Sequence, residues 1–108
     1  MKTILSSTKG FTKKQAINSK NGVALKDMRG STIKVAALAV LEDTDDEEVK
    51  EVGVVIDDKG MCYTCISSGA IDIISDCIEL IDVGEELSFM VDVRKSKSER
   101  DFIALIVL

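Results

Sequence analysis

The segment Arg94-Lys95-Ser96-Lys97-Ser98-Glu99-Arg100-Asp101 sets four cations close together in a chain of 108 residues. A cluster of that kind attracts anions, and polyanions above all. Residues 1–34 carry a second basic set: eight lysines and arginines, Lys13, Lys14 and Lys34 among them, against the single acid Asp27. The middle of the chain is the opposite, with sixteen acids and two basic residues between positions 35 and 93. The formal net charge of −5 conceals this segregation. A basic face can hold a polyanion even on an acidic protein.

Other chemistries find less support. Cys62 and Cys65 have the C-x-x-C spacing of a zinc or redox pair. A structural zinc site needs four ligands, and the chain adds only Cys77 and no histidine. Period-two alternation also sends Cys62 and Cys65 to opposite faces of a strand, where they cannot share an ion or a bond. They read as small apolar fillers. The run Glu42 to Glu48, with Asp43, Asp45 and Asp46, lacks the central glycine and later glutamate of a calcium loop and reads as a solvated hairpin tip. Without histidine there is no Ser-His or Cys-His dyad and no imidazole shuttle. No carboxylate constellation replaces them. The expectation is a protein that is not an enzyme and takes no metal or other cofactor.

The elements that position these residues follow from periodicity. Thr32 to Leu41 reads as a strand, with Ile33, Val35, Ala37, Ala39 and Leu41 on one face and Lys34, Ala36, Leu38 and Val40 on the other. Apolar residues on both faces place it centrally or bend it around a core. Residues 42–48 read as a charged turn. Val49 to Ile56 is a second strand, with Val52, Val54 and Ile56 on one face. Asp57-Asp58-Lys59-Gly60 is a hairpin turn, and Met61 to Ile66 a third strand. Over residues 69–82 the period lengthens. Ile71, Ile74, Ile78 and Ile81 make one stripe of an amphipathic helix, capped by Ser67 or Ser68 and ended by Gly84. Leu87 to Val93 and Phe102 to Leu108 are the fourth and fifth strands, joined by the charged turn 94–101.

Five strands with one helix between the third and fourth give a mainly β fold, the OB-fold barrel. It is expected over residues 31–108, behind a basic N-terminal arm over residues 1–30. Within that arm, residues 1–10 read as a loose leader, Thr12 can cap a short helix over Lys13 to Ser19, and Val23, Leu25 and Met28 dock against the core. The longest apolar run, Phe102 to Leu108, falls well short of the roughly 20 residues a membrane span needs. The leader's apolar patch, Ile4-Leu5, is too short for an export signal. With an odd number of cysteines, this points to the cytoplasm.

The runs KDMRGSTIKV, EDTDDEEVKEVGVVIDD, GMCYTCISSGAIDII and RKSKSERDFIALIVL resemble small bacteriophage single-stranded DNA-binding proteins, over roughly residues 23–108. The resemblance implies an OB-fold protein that coats single-stranded DNA in the host cytoplasm during phage replication. It leaves other replication proteins and self-association open as further partners. Better-known bacterial relatives end in an acidic tail that recruits partners, whereas this sequence ends within its fifth predicted strand.

Binding single strands without sequence preference takes cations for phosphates and aromatic faces for bases. On an OB-fold the loop joining the fourth and fifth strands borders the binding groove, which assigns Arg94, Lys95, Lys97 and Arg100 to phosphate contact, with Lys34, Lys13 and Lys14 in support. Tyr63, in the third strand, is expected to stack on a base. Phe102 falls on the outer face beside the basic turn if Ile103, Leu105 and Val107 line the barrel. Phe89 reads as core. The rival is an OB-like module that binds a host or replication protein without touching DNA, a reading that the acidic centre favours.

Overall fold

The computed structural model describes residues 2–45 and 48–108. Its strands are β1 (Lys2–Ser7), β2 (Val23–Ala24), β3 (Thr32–Asp45), β4 (Glu48–Asp57), β5 (Cys62–Cys65), β6 (Leu87–Lys95) and β7 (Asp101–Val107). Its helices are α1 (Lys13–Asn18) and α2 (Ser68–Asp82), with short 3-10 turns at Ser19–Asn21 and Leu25–Met28. All seven strands form one curled sheet in the order β2-β5-β4-β3-β6-β7, with β1 paired to β3 off that path.

The five strands and one helix read from periodicity are β3 to β7 and α2. The count itself is corrected to seven strands and two helices. β1 pairs antiparallel with the distal half of β3, from Ala39 to Asp43. Its residues are half-buried or exposed along its whole length, so it carries no alternating apolar pattern and reads as loose leader. β2 is two residues long and parallel to β5. α1 starts at a capping box: Gln15 N–H donates to Thr12 Oγ1 at 3.2 Å, and Thr12 N–H to Gln15 Oε1 at 2.9 Å. The segment expected as a basic arm holds two strands, β1 and β2, one helix and two 3-10 turns.

β3 is bent around the core and covered on both sides. A register shift between Val35 and Ala37, with Ala36 exposed at the shift, inverts which face each side chain takes. Ile33, Val35, Leu38 and Val40 enter the main core with Val55, Tyr63, Cys65, Phe89, Val91, Leu105 and the α2 stripe of Ile71 and Ile74. Ala37, Ala39 and Leu41 turn to the other side and pack with Val54, Ile56, Phe11 and Ala16. The single face expected for Ile33 to Leu41 is therefore split between two cores. The charged turn expected over 42–48 is largely strand, because β3 and β4 stay paired out to Asp45 and Glu48. Asp46 and Glu47 lie outside the described residues.

α2 sits close on the sheet at Gly53, where an added Cβ would come within 2.8 Å of Ile74 Cδ1 and 3.0 Å of Cys65 Sγ. Gly84, at φ +93°, ends the helix. Ser67 occupies the N-cap position but makes no side-chain cap. Its Oγ instead accepts Ile103 N–H at 3.3 Å, bridging the open edge between β5 and β7.

Candidate nucleic-acid interface

On β6 and β7, Val91 and Leu105 face the main core, so Asp92, Arg94, Phe102 and Ala104 take the outer face by alternation. Arg94 is the direct cross-strand partner of Phe102, and Asp92 of Ala104. Lys34 lies opposite Ser88, and its neighbours Ile33 and Val35 point into the core, so Lys34 shares that outer face. The structure thus brings Lys34, Arg94 and Phe102 onto one side of β3-β6-β7, over the half-buried apolar strip of Met90, Ala104 and Ile106.

Phe102 is 37% exposed, open enough for a flat partner. It also forms one wall of a cleft of about 400 Å³ with Lys26, Ile66 and Val93, at the seam between β5 and β7. Arg94 is oriented by its own sheet: its Nε donates to Asp92 Oδ2 at 3.1 Å. Arg29 approaches the other carboxylate oxygen at 3.9 Å. The bond from Arg94, with a smaller contribution from Arg29, holds the Asp92 carboxyl below its ordinary range. Arg29 escaped the sequence reading, because only the fold carries it to β6.

The basic turn is a closed ribbon. Ser96 N–H donates to Arg100 O and Glu99 N–H to Ser96 O, both at 2.9 Å. Glu99 closes it at φ +60°, in the left-handed region. Lys95, Lys97 and Arg100 are all exposed along this ribbon. Lys13 and Lys14 sit apart from it on α1, which covers the second core, and Lys13 lines a separate groove.

Tyr63 is a correction. The residue expected to stack is 7% exposed and belongs to the main core. Its ring is packed between β2 and β4, opposite Val23 and Val55. Its hydroxyl donates to Asp57 Oδ2 at 3.2 Å. Desolvation, and then the bond to Asp57 and its charge, push the phenol upward from its ordinary range. A base has no face of this ring to lie on.

Cys62, Cys65 and Cys77 are all free thiols. Cys65 lies in the main core while Cys62 packs against the second one, on the opposite side of the sheet. Burial raises the Cys65 thiol to about 11, against the opposing pull of hydrogen bonds from the Ser67 and Gly53 backbone. Among the described residues no group of three histidine, cysteine or acidic side chains is placed to hold a metal. The Cys62→Ser, Cys65→Ser double variant is expected to lose roughly 1–3 kcal/mol of stability, the usual cost of a hydroxyl in an apolar site, with DNA binding unchanged. Chelators are expected to leave the wild-type melting temperature where it is. Stoichiometric zinc in the purified protein would contradict this.

No helix among the described residues is long and apolar enough to cross a membrane. No curated protein and no solved structure matches the chain. A family model described as "Phage Single-stranded DNA-binding protein" matches residues 4–107, which takes in most of β1, all of α1 and β2, and β3 to β7. With nearly the whole chain matched, the protein belongs to the phage single-stranded DNA-binding protein family.

Proposed function

We propose that the chain coats single-stranded DNA during phage replication in the host cytoplasm, without sequence preference and without catalysis. In this reading the DNA lies on the outer face of β3-β6-β7. Lys34, Arg94, Lys95, Lys97 and Arg100 neutralise phosphates, and Phe102 stacks on a base. The observation that carries it is the joint placement of Lys34, Arg94 and Phe102 over one shallow apolar strip. That arrangement pairs cations with an aromatic face, as sequence-tolerant binding of single strands requires. The path β5-β4-β3-β6-β7, with α2 between β5 and β6 and the sheet unclosed, supports an OB-fold, a partly open five-stranded barrel, with β1 and β2 added. With Phe102 as the one aromatic on this face, phosphate contacts dominate and affinity falls steeply with salt.

The test is the Lys95→Ala, Lys97→Ala double variant titrated with oligo-dT across a salt series. Binding is expected to weaken about equally on every sequence. The slope of log affinity against log salt should flatten by about 0.7 for each phosphate that the variant no longer neutralises. An unchanged slope would remove the turn from the footprint. Absence of binding by the wild type at any salt would favour the protein-interaction module instead.

A further inference from the structure

A second basic surface lies beside the distal half of β3, which pairs with β1 from Ala39 to Asp43, away from the stretch Thr32–Val35 that pairs with β6. α1 covers the outer side of β3-β4, and β1 runs alongside, paired to β3. Between them is an open groove of about 800 Å³, lined by Lys2, Lys13 and Lys20 with Ile4 and Ile17. Lys13 and Ile17 lie four apart on α1 and so share one face of it, and Lys20 follows in the 3-10 turn Ser19–Asn21; all three line the groove. Lys2 stands opposite and is fixed: its Nζ donates to Ser19 Oγ at 3.0 Å, and that buried hydroxyl donates in turn to Ala16 O at 2.6 Å. Among the described residues, Asp43 is the one acid on the rim. Ile17 is 58% exposed and Ile4 36%, and neither is needed to fill a core.

Three ammonium groups around an open trough with Ile4 and Ile17 in its lining match a chain that alternates phosphates with apolar sugar faces. Among the described residues the groove has no aromatic one, so it offers bases nothing to stack on and reads no sequence. We infer that this groove is a second phosphate-binding segment, which takes the backbone of the same single-stranded DNA after it leaves the outer face of β3-β6-β7. The inference rests on the reading under Proposed function, and it lengthens the footprint from the basic turn to α1. Long single strands then bind more tightly than short ones through contacts that short ones never reach.

The test compares wild type, Lys13→Ala/Lys20→Ala and Lys13→Arg/Lys20→Arg on an oligo-dT ladder across a salt series. Lys2 is left in place because it is tied to Ser19. Both substituted lysines are exposed, so melting temperatures should agree with wild type. On the shortest oligonucleotides all three proteins should bind alike. As length grows, the alanine variant should fall behind, ending with a salt slope smaller by about 1.4, which corresponds to two phosphates. The arginine variant should follow wild type. If wild type binds and the alanine variant matches it at every length, the groove inference fails and the outer-face reading stands. A deficit that is the same at every length would mean diffuse charge rather than a second segment, and would also overturn it. If wild type binds no oligonucleotide, both readings fall.

Discussion

Tyr63→Ala is expected to destabilise the fold by about 3–5 kcal/mol, the usual cost of removing a buried aromatic ring, while the protein that remains folded keeps its affinity for DNA. The ring sits in the main core beside Val55 and Val23. Its removal leaves a cavity against β2 and β4 that a curled sheet cannot close cheaply. Tyr63→Phe keeps the ring and removes only the bond to Asp57, which calls for about 0.5–1.5 kcal/mol. Asp57 retains partners, since its Oδ1 accepts Lys59 N–H at 2.9 Å and Met61 N–H at 2.8 Å. Denaturant unfolding and oligo-dT titration on the same preparations check this. Unchanged unfolding together with a fall in affinity would put a base on Tyr63 after all.

The mirror image is expected for Phe102→Ala. Affinity should fall by roughly 1–3 kcal/mol, because one base no longer has a ring to stack on. The salt slope should stay at the wild-type value, since every phosphate keeps its cation. Stability should change little, as a side chain 37% exposed fills no sealed core. Phe102→Tyr should bind like wild type, because stacking uses the ring. Wild-type affinity in the alanine variant would show that bases do not meet β7, and phosphate contacts alone would then hold the DNA.

Much of this arrangement is legible from spacing. α2, β6 and β7 carry clean apolar periods because each buries one face, and the opposite facing of Cys62 and Cys65 follows from alternation alone. The outer position of Phe102 follows in the same way once Ile103 and Leu105 are taken as core. The failures share a physical cause: partners distant in sequence. β1 is an edge strand held by its backbone, so its side chains leave no pattern. The register shift near Val35 divides one apparent apolar face between two cores. Tyr63 misleads because β5 is covered on both sides, with Cys62 against one core and Tyr63 and Cys65 in the other. Its alternation alone does not say which face is open. Arg29 and Lys20 gain their significance from β6 and β1, which no local window contains.

The central claim is that single-stranded DNA lies on the outer face of β3-β6-β7. Backbone amide chemical shifts, followed residue by residue as oligo-dT is added to the full chain, test it most directly. The largest changes are expected at Lys34, along Met90 to Lys95, through the turn to Arg100, and at Phe102 and Ala104, while α2 between Asp72 and Glu79 stays silent. Changes confined to α2 and the β3-β4 hairpin, with β6 and β7 unmoved, would contradict the account.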